Sequence, residues 1–250
     1  GLDSKANNLA NAETTAYKKE GTTSRTFADE MAVRLKDSSN YGMPKKLGDI
    51  TYGVHLGQVY TDYSSGSFKV TDNSTDFAID GSGFFAVAFT DKAGNTSVKY
   101  TRDGAFTVNT EGYLVTKDGD YVLNTAGAMN QDPGEANYIK VDPNSPITVN
   151  KLGFVIQNNQ IVGTLGLVDV DNYDYLEKYG ENLYNLLDGG NTIASNAKIE
   201  QGVLETSNVN VINEMVSMIT IQRAYEAGQK VITSIDGTLD RAVNNVGKVK

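Results

Sequence analysis

Apolar residues recur at alternating steps of three and four through the C-terminal part of the chain: Met218, Ile221, Tyr225, Gly228, Ile232, Ile235, Leu239, Ala242 and Val246. That spacing keeps one face of an α-helix against a partner helix. It predicts a helix from about Val211 to Val246, roughly 50 Å long at 1.5 Å per residue. Leu2, Ala6 and Leu9 repeat the helical spacing near the N-terminus, in a short segment ending near Ala12. From about Val54 to Leu204 the pattern changes. Short runs rich in β-branched and aromatic residues alternate with clusters of Gly, Asn, Asp and Ser, the signature of strands and turns. Asp76–Asp80, Phe84–Thr90, Val98–Arg102, Ala105–Asn109, Tyr113–Thr116 and Tyr121–Asn124 read as strands, and residues 147–170 repeat the pattern. Lys117-Asp118-Gly119-Asp120 reads as a hairpin with a type I′ turn. Residues 127–146 read as a loop or excursion, and residues 20–50 as a connector with a little helix around Phe27, Met31, Val33 and Leu35.

Closely spaced short strands imply antiparallel meanders rather than βαβ units. The expected fold is therefore a mainly β central domain flanked by N- and C-terminal helices that form an α-helical coiled-coil assembly domain. Its divisions are a helical segment at 1–20 pairing with 205–250, a linker at 21–53, a β-rich domain at 54–204 and the long helix at 205–250. Asn7, Asn8, Asn11, Asn208 and Asn210 stand where side chains cap helix ends.

Composition narrows the chemistry. The 250 residues are 39% hydrophobic and 21% charged with 4 prolines, a globular balance. A net charge of −9 disfavours nucleic acid as a partner. No apolar run reaches the length of a membrane span. The opening G-L-D-S-K has neither the basic region nor the apolar core of a secretory signal, and without an initiator Met it suggests a trimmed or processed start. There is no Cys and no Trp, and His55 is the one histidine, so Cys-type zinc sites and thiolate chemistry have no basis.

Three motifs invite a functional reading. Gly81-Ser82-Gly83-Phe84-Phe85-Ala86 fits a dinucleotide fingerprint formally, but that fingerprint needs a helix after the turn, and here a strand pattern follows. The Asp72, Asp76, Asp80 and Asp169, Asp171, Asp174 groups lack the order of a calcium loop and read as solvated loop carboxylates. His55 in V-H-L-G reads as a strand residue. No catalytic, cofactor-binding or metal site is expected.

The remaining motifs occur as an ordered set. N-N-L-A-N-A-E-T-T-A-Y-K (Asn7–Lys18), D-F-A-I-D-G-S-G-F-F (Asp76–Phe85), Y-T-R-D-G-A-F (Tyr100–Phe106) with G-Y-L-V (Gly112–Val115), G-E-N-L-Y (Gly180–Tyr184), Q-G-V-L-E-T-S-N-V-N-V (Gln201–Val211) and E-M-V-S-M-I-T-I-Q-R-A-Y-E (Glu214–Glu226) run in one order over nearly the whole chain. Together they resemble the bacterial flagellar rod and hook family of axial proteins, most of all its distal rod type. Ala16 departs from the family's glycine; if that position holds a positive φ, Ala costs about 1 kcal/mol or more.

The resemblance implies a structural subunit, not an enzyme, without cofactor. Such proteins are exported by the flagellar type III apparatus to the basal body. They assemble helically with themselves and other axial proteins, meet ring proteins, and do not insert into membranes. The assembly interface implied is Leu2, Ala6, Leu9 and the stripe from Met218 to Val246. The competing reading is an extracellular β-rich binding or adhesin-like module on a stalk helix, for which an aromatic cluster on one sheet face would speak. A hydrolase would need carboxylates converging in a pocket.

Overall fold

Thirty-six residues from Val211 to Val246 form one uninterrupted α-helix in the computed structural model, which describes the backbone of residues 1–26, 30–34, 45–50 and 54–246 and the side chains of 1–23 and 57–244. No proline interrupts the segment, so every interior N–H keeps its carbonyl four residues earlier. The chain divides into two compact units, the first comprising residues 1–9, 20–62 and 211–250, the second residues 10–19 and 63–210.

The first unit contains helix α1 (Leu2–Ala10) and strands β1 (Glu20–Thr26), β2 (Glu30–Arg34), β3 (Lys45–Ile50) and β4 (Val54–Thr61). β1 pairs antiparallel with β4, and β2 with β3. Gly21 stands opposite Tyr60, and a Cβ there would run into the Tyr60 ring, so the glycine leaves room for the aromatic to lie across its neighbour. These pairings correct the expectation of a linker with a little helix. Met31 and Val33 lie in β2. Phe27 and Leu35 lie outside the described residues. The Thr-rich run E-G-T-T-S-R-T has no apolar alternation; its β-branched residues suit a strand, and β4 supplies the pairing. The same pairing puts β4 with the first unit rather than with the β-rich domain expected to start at Val54.

The second unit follows in chain order. Its strands are β5 (Phe68–Val70), β6 (Phe77–Asp80), β7 (Phe84–Thr90), β8 (Thr96–Thr101), β9 (Thr107–Val108), β10 (Leu114–Val115) and β11 (Tyr121–Val122). Helix α2 (Thr125–Asn130) comes next, then β12 (Thr148–Val149), β13 (Phe154–Gln157), β14 (Gln160–Thr164), β15 (Leu167–Val170), β16 (Leu176–Tyr179), β17 (Leu183–Leu186), β18 (Thr192–Ala194), β19 (Lys198–Gln201) and β20 (Val203–Glu205), after which the long helix is α3. The main sheet runs β16-β17-β8-β7-β11-β10-β9, with β15 bridging β7 and β18; β19 pairs with β6, β20 with β5, and β12-β13-β14 form a small sheet. The pairings are antiparallel, as the short spacing of the strands implied.

β7 organises the core because both of its faces are buried. Phe85 and Val87 join Phe77, Ile79, Phe106, Leu114 and Val122 on one side, while Phe84, Ala86 and Ala88 join Tyr100, Leu123, Val168 and Tyr184 on the other. A strand covered on both faces needs the continuous apolar run F-F-A-V-A-F rather than an alternation.

Two local expectations change. The Lys117–Asp120 turn is not type I′: Gly119 alone takes a positive φ, 97°, while Thr116 N donates to Asp120 O at 2.8 Å and Gly119 N to Thr116 O at 3.1 Å. The third loop position carries the left-handed residue, the pattern of a three-residue hairpin. Residues 127–146 are not all loop, since α2 begins at Thr125 with the Asn124 side chain accepting from Gly127 N.

The Tyr100 hydroxyl is buried without a hydrogen-bond partner among the described residues, and burial pushes it up to about 12. The folded chain therefore keeps this proton where the unfolded chain, near 10, has lost it, and stability falls as pH rises from 10 to 12, by about 2–3 kcal/mol in all. Tyr100→Phe should be neutral to stabilising at pH 7 and should flatten that alkaline loss, as read from urea unfolding at stepped pH.

A buried ionic node and the exposed terminal helix

The motif residues that the sequence could group only by likeness meet at one carboxylate. Glu205 ends β20 and is buried; its Oε1 accepts from Lys18 Nζ at 2.6 Å and from Gly66 N at 2.8 Å, and its Oε2 lies 3.4 Å from Arg102 Nη1. Lys18 and Arg102 are buried too. Two cations on one anion leave an excess positive charge, and backbone carbonyls answer it. Ser64 O accepts from Lys18 Nζ at 2.7 Å, and Gly83 O and Gly81 O accept from Arg102 Nε and Nη2 at 3.0 and 2.6 Å. Arg102 also lies over the Phe84 ring.

This arrangement explains the Gly-Ser-Gly motif. Gly81 and Gly83 hold φ of 126° and 146°, values open chiefly to glycine, and the turn they make aims carbonyls at a guanidinium. A phosphate cradle aims N–H groups at an anion; here the polarity is reversed and a strand follows the turn.

Around the node, residues 16–19 are stitched to 205–208. Ala16 N donates to Glu205 O at 2.9 Å, Asn208 N to Tyr17 O at 3.4 Å, and Lys19 N to Asn208 Oδ1 at 2.8 Å. Asn208 Nδ2 donates to Ser64 O at 3.1 Å. Asn208 thus caps a backbone crossing rather than a helix. Ala16 holds φ 56°, so the position where the resemblance expects glycine does take the left-handed region, and Ala carries the strain there. Lys178 Nζ stands 3.9 Å over the Tyr17 ring.

Within the first unit, α1 meets the first turn of α3 through polar groups. Lys5 Nζ lies 3.1 Å from Glu214 Oε2, and Asn8 Nδ2 donates to the same oxygen at 3.5 Å. Asn8 is fully buried, and its amide also bonds the backbone of Glu20, accepting from N at 2.9 Å and donating to O at 2.8 Å. It acts as a strand end rather than a helix cap. Glu214 stands four residues before Met218, on the same stripe. Beyond it the stripe opens to solvent: Tyr225 is 70% exposed, Ile232 61% and Leu239 58%, with Ile221 and Ile235 exposed and Met218 half-buried. A Cβ on Gly228 would meet nothing within 4 Å. Ala242 is exposed, and the side chain of Val246 lies outside those described. Leu2 and Ala6 are exposed and Leu9 half-buried, so the expected α1 stripe is not the face that meets Glu214. Asn210 directly precedes α3 at the capping position, Asn11 Oδ1 accepts from Thr14 Oγ1 at 3.1 Å after α1, and Asn7 is exposed.

The other candidates fall to local chemistry. Asp76 Oδ1 accepts from Asn73, and Asp169 Oδ1 from Tyr173 OH at 2.8 Å. His55 lies in β4 opposite Arg25, its side chain outside those described. A cavity of about 620 Å³ beside the β16–β17 turn holds Glu13, Asp103, Asp118, Asp120 and Glu181. Burial, reinforced by Asp118, pushes the Asp120 carboxyl up, and no group of three or more potential metal ligands converges among the described residues.

Lys18, Arg102 and Glu205 stand in the quoted motif blocks, but no periodicity marks them as partners, because they are far apart in the chain. Glu205→Ala strands two buried cations and should cost about 3–5 kcal/mol in urea unfolding, far more than the conservative Lys18→Met, which leaves the Glu205–Arg102 pair.

Comparison with known proteins agrees with this geometry. The family described as flagellar hook protein FlgE/F/G D1 domain matches residues 78–158, and the flagellar basal body rod FlgEFG protein C-terminal family matches 200–245. The flagellar basal-body rod protein FlgF of Caulobacter vibrioides is 37% identical, over 99% of this chain and 92% of its own. FlgG of Bacillus subtilis is 32% identical over 97% and 92%, and the hook-basal body complex protein FlhO of the same organism 29% over 98% and 91%. FlgF- and FlgG-named relatives stand close together, which identifies the family rather than the rod subtype, and the adhesin reading finds no support. With its length matched almost end to end by relatives up to 37% identical, the chain belongs to the flagellar basal-body rod and hook protein family, as a structural subunit of the basal body and not an enzyme.

Proposed function

We propose that this subunit builds the rod by self-assembly through its terminal helices, so that torque passes along a wall of packed helices and rigid β units. The observation that carries this is the bare stripe of α3. An isolated protein gains nothing from a helix of roughly 54 Å with Tyr225, Ile232 and Leu239 in water. Burying each such residue contributes about 1.5–3 kcal/mol. Summed along an array, many small burials carry load without a single strong site. An interface repeated by a fixed rotation and rise gives an open filament. Other flagellar axial proteins are the natural neighbours at the ends of such an array. The export apparatus delivers the subunits, and ring proteins surround the shaft.

Ile232→Asp should abolish polymerisation and motility while the urea transition of the β-rich unit keeps its midpoint. Motile cells carrying this variant would remove the stripe from the mechanism. In dilute full-length protein, trypsin should cut first at Arg223, Lys230 and Arg241, all exposed on α3, and mass spectrometry should find a core ending at Arg223. Equal persistence of α3 and the core in a monodisperse monomer would contradict the proposal.

A further inference from the structure

The small sheet β12-β13-β14 has one face too many. Val149, Val155 and Gly163 share the inner face through their register, and Val149 and Val155 belong to the buried core. On the outer face Thr148, Ile156 and Ile161 form one row, and Phe154 with Thr164 the next. Neither Phe154 nor Ile156 packs in the core clusters, Ile161 is 64% exposed, and Val162, at the irregularity in the pairing, is exposed beside it. The solvated face of an antiparallel sheet ordinarily carries polar residues. β14 is moreover an edge: among the described strands it pairs with β13 alone, and Q-I-V-G-T holds none of the charges or prolines that guard free edges.

Charge chooses the occupant. From Ser145 to Val168 the one charged residue is Lys151, and its Nζ is neutralised by Glu200 Oε1 at 3.0 Å. The chain as a whole is 21% charged with a net charge of −9. Two identical copies repel wherever they present that charge and approach most cheaply through a neutral face. Within that run a strongly basic or acidic partner would find no free charge to pair with. Glu111, Lys140 and Asp142, around a cavity of about 410 Å³ beside Gln160 and Val162, make a polar rim to an uncharged centre, the usual anatomy of a protein contact.

We infer that the outer face of β12-β13-β14, centred on Ile161, is a contact between copies of this chain, separate from the α3 stripe. It deepens the proposed assembly by giving the β-rich unit an interface of its own.

The chain has no cysteine, so Ile161→Cys, Ile232→Cys and Ala93→Cys each introduce one thiol into the full-length protein, the last in the exposed β7–β8 turn. Maleimide labelling is compared between dilute protein and concentrated, associated protein. Labelling at position 161 should slow at least about tenfold on association while position 93 stays unchanged, and Ile161→Asp should weaken self-association by at least about tenfold. Protection at 232 without protection at 161 overturns this contact and leaves the helix assembly standing. Protection at 161 alone supports the contact and sinks the helix assembly. Full reactivity at both positions at every concentration overturns both.

Discussion

The second unit depends on one buried carboxylate. Glu205 draws Lys18, Arg102 and the Gly66 amide to a single point, and each belongs to a different stretch of chain. Replacing such a cluster with apolar side chains can be neutral in energy, so stability alone does not account for it. Direction does. An ionic node has one satisfactory arrangement, whereas an apolar contact there tolerates several. The segment leading from α1 and the segment leading to α3 are crossed at this node by further backbone bonds, Ala16 to Glu205 and Asn208 to Tyr17.

The same constraint explains residues that look misplaced in isolation. Gly81 and Gly83 resemble a phosphate loop by spacing, yet their carbonyls serve Arg102. Ala16 sits at φ 56° although nothing in its chemistry favours that region. The strain is held because Ala16 N is fixed by Glu205 O on one side and Tyr17 is buried on the other. Strain of this kind persists where the surroundings over-determine the backbone.

Much of this fold was legible in the sequence where one physical signal acted alone. The three-four stripe gave α3 nearly to the residue, and the continuous apolar run gave β7. The reading failed where a second partner supplies the stabilisation. β1 has no apolar alternation and exists as a strand because β4 pairs with it. The Lys117–Gly119 turn was misassigned because Asp-Gly suits more than one hairpin geometry, while Asn158-Asn159, with φ of 49° and 65°, is the two-residue turn with both central residues left-handed. Charged residues paired across the chain leave no periodic trace at all. Lys5 therefore leaves no sign of its pairing with Glu214, and Asn8, a capping candidate by sequence, meets the same carboxylate, which carries a stripe position in polar form.

Glu214 shows why the stripe is divided. Where α1 reaches it, the stripe position is a carboxylate satisfied by Lys5 and Asn8. Beyond Met218 it is apolar and bare. A polar, buried contact demands specific partners and fixes register, whereas an apolar one rewards any well-packed neighbour in proportion to the area covered. In the proposed assembly the specific contact lies within the chain and the general one outside it, which would let a lone subunit set the course of its own helix at low cost. On that proposal the larger gain would be deferred until neighbours arrive. Reversing the order would make the monomer sticky at a site that fixes nothing, and its copies would associate before their helices had a common register.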